Sequence, residues 1–131
     1  MPAPFPLRLR VVSIALAMAA LVAGASYLAL PTPLTQRAGS AFLVIPLSAT
    51  AWMFIASATL TIAGHWPMVP WLVLRVAHAL GGSLYAAYAV ALIGYAVYNG
   101  SALTAGIHAA ALAVAHFAVL VAIPTPPKGS A

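Results

Sequence analysis

The 131-residue sequence contains no aspartate, no glutamate and no cysteine. Without carboxylates, the chain lacks the side chains that most often form intramembrane proton relays, cation sites and counter-ions for buried arginine. A carboxylate-ligated metal site, a Ser-His-Asp triad and a pair of general acids are excluded for the same reason. The lack of cysteine excludes thiolate nucleophiles, cysteine-ligated zinc and disulfides, but it does not indicate a redox compartment.

Charge is scarce and apolar residues are abundant. Charged residues make up 4% of the chain and hydrophobic residues 65%, whereas a soluble domain has about 25% and about 45–50%. So few polar side chains cannot cover a water-soluble fold of this length, and we expect the chain to be surrounded by the lipid bilayer. The formal net charge of +5 is dispersed over chain ends, loops and helix margins, so no nucleic-acid partner is expected.

Four apolar runs predict an all-α integral membrane protein, an antiparallel bundle of four transmembrane helices. The runs cover about residues 11–30, 41–63, 70–98 and 103–123, and each has the ~20 residues needed to cross a ~30 Å hydrocarbon core. Prolines, Gly64 and the Asn99-Gly100 pair end them. We predict a single domain over residues 1–131, with a short basic cytoplasmic tail at 1–10 and a short Pro-rich tail at 124–131. The short connections make successive helices antiparallel neighbours.

The distribution of the cations predicts the orientation. Only Arg37 lies on one predicted side of the membrane, and the other side has Arg8, Arg10, Arg75 and Lys128. The positive-inside rule then places both termini in the cytoplasm of a multi-pass protein in the cell (inner) membrane.

The first apolar run has a second interpretation. Two arginines, the run from Val11 and the Ala23-Gly24-Ala25 segment also fit the three regions of a secretory signal peptide. Cleavage after Ala25 would leave three helices. The run continues to Leu30, which is long for the apolar part of a signal peptide, so we favour a retained helix.

The four histidines are the candidates for a cofactor or proton role. His78 lies ~12 Å and His116 ~10 Å from the predicted cytoplasmic ends of their helices, at ~1.5 Å per residue, so the two share one level of the membrane. Such a pair can ligate a b-type haem from both sides, or it can bond to hydroxyls and carbonyls across helices. His108 is two turns away from His116, too far to join them. His65 is interpreted as an interfacial loop residue beside Trp66.

The segment from Arg75 to Gly82, Arg-Val-Ala-His-Ala-Leu-Gly-Gly, resembles an Arg-x-x-His helix segment followed by glycine in some bacterial membrane cytochromes b. In that family the histidine ligates haem and a nearby glycine lets the macrocycle approach the backbone. The resemblance implies haem b as a cofactor with His78 as a ligand, and the matching depth of His116 makes that residue the candidate for the second ligand. Arg75 would then pair with a haem propionate, whereas without haem it extends to the lipid headgroups.

A polar and aromatic stripe follows one face of the third predicted helix. His78, Tyr85, Tyr88 and Tyr95 fall within an arc of about 100°. Because tyrosine hydroxyls in lipid need partners, we expect this stripe to face the bundle interior. It could line a cofactor pocket, with Tyr85 beside the histidines, but core packing is the simpler interpretation.

The leading functional hypothesis is non-enzymatic, with no catalytic residues, no metal site and no cofactor. It describes a small accessory or structural subunit of a membrane complex, associated with other membrane subunits or with copies of itself. One alternative is a b-type cytochrome that binds haem through His78 and His116. A further alternative is a phage holin or another small pore-forming protein, which the chain's size, its several helices and its cationic ends would fit.

Overall fold

The computed structural model describes residues 6–29, 47–100 and 103–124, and within these ranges the chain forms four α-helices and no strand. Helix α1 spans Leu7–Ala29, α2 spans Leu47–Ala63, α3 spans Trp71–Asn99 and α4 spans Thr104–Ala122. Helices α1, α3 and α4 are long and apolar enough to cross a membrane, and α2 is a shorter apolar helix in its described part. The prediction of an all-helical fold with several membrane-spanning helices is confirmed to this extent.

Helix α1 begins four residues earlier than its apolar run. The first residues after Pro6, including Arg8 and Arg10, are helical, although we predicted them as part of a tail. Pro6 can start the helix because its carbonyl accepts a hydrogen bond from the Arg10 N–H at 3.0 Å, and its missing N–H is not needed there. Residues 1–5 and 125–131 of the predicted tails, together with residues 41–46 and Arg37, lie outside the described residues.

The turn signals in the sequence coincide with the ends of α3 and α4. Gly100 caps α3 in the left-handed conformation, with φ 62°, and its N–H donates to the Ala96 carbonyl. Glycine adopts this conformation without the steric penalty of a Cβ atom. At the end of α4, Ile123 is extended and donates to the Val119 carbonyl, and Pro124 follows.

Successive helices pack side by side and antiparallel. The closest pairs are α1 with α2 and α3 with α4, and α2 and α3 join these two hairpins. As a result, the start of α1, the end of α2, the start of α3 and the end of α4 meet at one end of the bundle. We call this end the loop end, because the loop of residues 64–70 lies there, and the opposite end the far end.

Small residues allow the helices of each hairpin to approach closely. A Cβ atom on Gly24 of α1 would lie 2.7 Å from the Ala51 carbonyl oxygen of α2. On α4, a Cβ on Gly106 would lie 2.5 Å from the Ile93 side chain of α3. Such contacts between small residues are typical of helices that associate in lipid, where van der Waals packing replaces the hydrophobic effect.

The interior contains two apolar clusters, and the polar side chains between and beside them form what we call the polar layer. Leu16, Leu74, Val119 and Ile123 form the cluster nearer to the loop end. Toward the far end, Phe54 and Tyr85 pack among alanines. The outer surface is apolar as well: Val90 is 74% exposed and Val121 is 83% exposed, which suits lipid better than water.

Candidate functional site

The polar layer is built around two histidines from α3 and α4. His78 and His116 are both 0% exposed, and their Nδ1 atoms lie 3.0 Å apart. Because α3 and α4 are antiparallel, residues near the start of one and the end of the other lie side by side. The structure therefore brings together the two histidines that the sequence placed at the same depth.

Two further residues extend this pair toward the loop end. The Ser13 hydroxyl of α1 lies 2.7 Å from Nε2 of His78 and 2.8 Å from Nε2 of His65. Ser13 is fully buried, whereas His65, in the loop after α2, is half-buried. We call the continuous series His65, Ser13, His78 and His116 the histidine chain.

Glycine at position 81 makes room for the ring of His116. It lies three residues after His78, on the same face of α3, and a Cβ there would lie 2.5 Å from Cε1 and 2.8 Å from Nδ1 of His116. The Ser57 hydroxyl of α2 lies beside the same position and donates to the Ala77 carbonyl at 3.1 Å. The close fit of these groups holds the His116 ring against His78.

The inner end of the histidine chain lies against an aromatic cluster. Tyr85 stacks on the His116 ring, with 5.6 Å between ring centroids. Phe54 contacts Tyr85 at 4.9 Å, and Tyr27 contacts both Phe54 and Tyr88. Tyr85 is buried and Tyr88 and Tyr95 are half-buried. This face of α3 therefore points toward the bundle interior, as we expected from the spacing of its tyrosines.

The Nε2 atom of His116 is buried and has no hydrogen-bond partner among the described residues. An isolated polar atom in an apolar interior costs about 1–3 kcal/mol when its partner is missing. Such an atom therefore indicates a position where a small polar molecule would be stabilised.

Arg75 lies at the loop end and turns toward α4. Its guanidinium donates to the Ile123 carbonyl at 3.5 Å, at the helix end where the macrodipole favours a positive charge. Its Nε is buried without a hydrogen-bond partner in the described part of the chain. The extension of Arg75 to the lipid headgroups stays a prediction, and the structure shows instead that Arg75 binds the end of α4.

The electrostatic surroundings of His65 favour its neutral form. Burial, and after it the positive charge of Arg10, lower the pKa of His65 below its usual range. His65 was predicted as a simple interfacial residue, but the structure makes it the outermost member of the histidine chain. His108 is exposed on α4 and stays apart from the chain, as its depth predicted.

The arrangement of His78 and His116 does not fit a haem between them. Axial ligation requires both imidazole nitrogens to point at an iron atom in a macrocycle that separates the rings. Here the nitrogens are in direct hydrogen-bond contact, and Gly81 and Tyr85 pack closely around the His116 ring. Haem ligation by His78 and His116, with Tyr85 and Arg75 nearby, stays a prediction from the sequence that the packing does not support.

Ser13 was missed at the level of the sequence. It is a single hydroxyl in an apolar run, and such a residue commonly bonds to its own helix. A signal was nevertheless present in the sequence, because the small residues Ser13, Ala17, Ala20 and Gly24 recur at helical spacing. In the structure all four are buried. A stripe of small residues that includes one hydroxyl indicates the face on which another helix, with a polar group, approaches.

Comparison of the chain with protein-family models, with curated proteins and with solved structures gave no match.

Proposed function

We propose that this chain is an integral membrane protein with four transmembrane helices that acts as an accessory or structural subunit of a larger membrane complex. Its role is non-enzymatic in this proposal, and its partners are the bilayer and either other membrane subunits or copies of itself. Three spans long enough for a bilayer support the membrane placement. The short connections 64–70 and 100–103 also support it, because they add no domain outside the lipid within the described ranges.

The proposed orientation places the loop end in the cytoplasm of a cell (inner) membrane. Arg8 and Arg10 at the start of α1 and Arg75 near the start of α3 all belong to this end. Positive residues close to the ends of spans are retained on the cytoplasmic side during insertion. The helix ends nearest to both termini would then face the cytoplasm.

Trp52 is the observation that carries the subunit proposal. It is 60% exposed on the outer face of α2, eleven residues before the end of that helix, which corresponds to about 16 Å from the loop end. Tryptophan is normally enriched at the membrane interface, where its N–H finds water or headgroups. At the middle of the bilayer the indole N–H needs an acceptor from protein, and a neighbouring subunit would supply it.

Substitution of Trp52 tests the subunit proposal. The wild-type protein, purified in mild detergent, should show a stoichiometric complex by native mass spectrometry, and Trp52→Leu should lose it. Trp66→Leu is the matched control, because Trp66 is 70% exposed in the loop outside the spans; this variant should keep the complex.

A fluorescence measurement detects the opposite result, in which lipid and not another subunit covers Trp52. The chain has three tryptophans, so Phe at positions 66 and 71 leaves Trp52 as the only tryptophan, whose fluorescence is excited selectively at wavelengths that tyrosine does not absorb. A monodisperse monomer in which lipids brominated near the bilayer centre fully quench Trp52 would show that lipid covers this face, and the proposal would fail.

A further inference from the structure

The histidine chain joins the surface of the loop end to the interior without a break. It starts at half-buried His65, passes through Ser13 and His78, and ends at Nε2 of fully buried His116. Every link lies between 2.7 and 3.0 Å, which is the range of good hydrogen bonds. These side chains come from α1, the loop after α2, α3 and α4, so the series exists only in the assembled bundle.

Each member of the chain can both donate and accept a proton. A neutral imidazole has one N–H and one bare nitrogen, and a hydroxyl has one O–H and two lone pairs. The three hydrogen bonds between these four groups can therefore run in either of two directions. In the inward arrangement, His65 donates to Ser13, Ser13 to His78, and His78 to His116. In the outward arrangement, all three hydrogen bonds are reversed.

We propose that the histidine chain is a proton relay that carries a proton between the loop end of the bundle and a water molecule at Nε2 of His116. In the inward arrangement a proton arrives at His65 from the loop side. His65 passes its Nε2 proton to Ser13, Ser13 passes its hydroxyl proton to Nε2 of His78, and His78 passes its Nδ1 proton to Nδ1 of His116. His116 then releases its Nε2 proton to the water.

The proton count balances in this step. One proton enters at His65, three are exchanged across the three hydrogen bonds, and one passes from His116 to the water, so the four side chains end neutral and the water holds the extra proton. The chain is left in the outward arrangement, and a proton that travels back from the water restores the inward one. Histidine is suited to this task because its two ring nitrogens take up and release protons at different positions.

The residues around the histidine chain favour passing the proton on over binding it for long. The sequence has no carboxylate that could hold it. Arg10 of α1 acts electrostatically on His65, Arg75 of α3 lies at the same end, and Tyr85 of α3 stacks on His116. Neighbouring positive charge makes a long-lived imidazolium unfavourable, so a proton that enters is passed on.

The unpartnered Nε2 of His116 gives the relay its inner terminus. A set of histidines with only a packing role would be expected to end on a carbonyl or hydroxyl, because buried polar atoms are normally satisfied. The histidine chain ends on Nε2 of His116, a buried nitrogen that has no hydrogen-bond partner among the described residues. The relay does not depend on the proposed subunit role, because all four residues belong to a single polypeptide.

Hydrogen–deuterium exchange at the His116 ring tests the relay. The protein, labelled with ¹⁵N-histidine in bilayers, is transferred into D₂O and the ring N–H signals are followed by NMR. In the wild type, the His116 signal should exchange through the chain. Ser13→Ala should abolish this exchange, and Ser13→Thr, which keeps the hydroxyl, should restore it. The matched control is Ser26→Ala on the same helix, where the half-buried side chain donates to the Val22 carbonyl of α1 and lies outside the histidine chain; it should exchange like the wild type.

A second variant keeps the test independent of core packing. His65→Gln changes the half-buried end of the chain and should slow exchange at His116, more than 50 residues away in sequence, without loss of folding. His108→Gln, at an exposed position outside the chain, should leave exchange unchanged. If His116 exchanges at the wild-type rate in both Ser13→Ala and His65→Gln, or does not exchange in the wild type, the relay is wrong.

Discussion

At the scale of single residues, the polar layer depends on how closely Gly81 lets α4 approach α3. The His116 ring occupies the space where any other residue at position 81 would place its side chain. Because the ring is also stacked by Tyr85 and bonded to His78, it cannot move away from position 81 without disturbing these contacts.

Gly81→Ala should therefore destabilise the bundle by about 1–3 kcal/mol, the usual cost of overpacking a filled core. Its new methyl group would displace His116 and weaken the bond to His78. Gly94→Ala is the matched control on the same helix, since a Cβ there meets nothing within 4 Å, and its change should stay within about 0.5 kcal/mol. Unfolding measured in detergent distinguishes the two, and equal stabilities would contradict the packing described around His116.

The half-buried position of His65 predicts a pH dependence of stability. Since burial and Arg10 lower its pKa in the folded bundle, the unfolded chain binds a proton more readily than the folded one. The contribution of His65 is therefore complete above the usual histidine pKa of about 6.5 and declines as the pH falls below it.

Thermal unfolding of the wild type and His65→Gln, compared between about pH 8 and about pH 5.5, checks this dependence on either side of the usual histidine pKa. The wild type should lose more stability on acidification than the variant. An equal loss in both proteins would show that His65 titrates alike in the folded and unfolded states.

The sequence predicted that His78 and His116 lie at the same depth, but it did not predict that they contact each other or that the histidine chain forms. Depth along antiparallel helices follows from residue number, so the levels of two side chains can be compared by counting residues from the helix ends. The rotation of a helix about its own axis, which decides which residues face inward, cannot be obtained by counting residues. Helices that are apolar on every side have no polar face to indicate which residues point inward, and this is why Ser13 was overlooked. His65 was assigned to the membrane interface alone, because its position in a loop does not indicate the direction of its side chain.

At the scale of the helices, the contact between α1 and α2 depends on one backbone approach. Gly24 faces the Ala51 carbonyl and the Ile55 side chain, so the distance between these two helices is set by the absence of a side chain at position 24. A flexible side chain can turn away from a new methyl group, but a carbonyl within a helix cannot.

Gly24→Ala should force α1 away from α2, and Ser13 on α1 should lose its short contact with His65. We expect a loss of about 1–3 kcal/mol in unfolding free energy, together with altered ¹⁵N signals of His65. Gly94→Ala again serves as the control. Unchanged histidine signals in a destabilised Gly24→Ala protein would separate the α1–α2 contact from the histidine chain.

The ends of the helices were predictable where the sequence carries local signals. Asn99-Gly100 and the proline after Ile123 act through the backbone of a few residues, and the structure has α3 and α4 ending there. The start of α1 was less predictable, because a helix can extend beyond the apolar run when its first turns are bonded, as the Arg10 N–H to the Pro6 carbonyl shows.

At the scale of the whole molecule, the antiparallel arrangement makes a simple prediction about sidedness. Met68 is 91% exposed in the loop at the loop end, and Tyr98 is 90% exposed at the far end. If the positive-inside rule applies, these two positions face opposite sides of the membrane, with Met68 in the cytoplasm.

Single-cysteine labelling checks the orientation without background, because the native chain has no cysteine. A membrane-impermeant maleimide applied to spheroplasts should label Tyr98→Cys and not Met68→Cys, and inside-out vesicles should give the reverse. Labelling of both variants from one side would contradict the membrane-spanning arrangement, and an inverted pattern would contradict the orientation.

The bonds of Ser13 also have a consequence for the order in which the chain is made. The first helix leaves the ribosome long before residues 65 and 78, so its hydroxyl enters the lipid with only its own helix as a hydrogen-bond partner. His78 in turn waits for the last helix to provide His116. The polar interior is therefore completed only once α4 has been made, and until then Nδ1 of His78 lacks the partner that His116 provides.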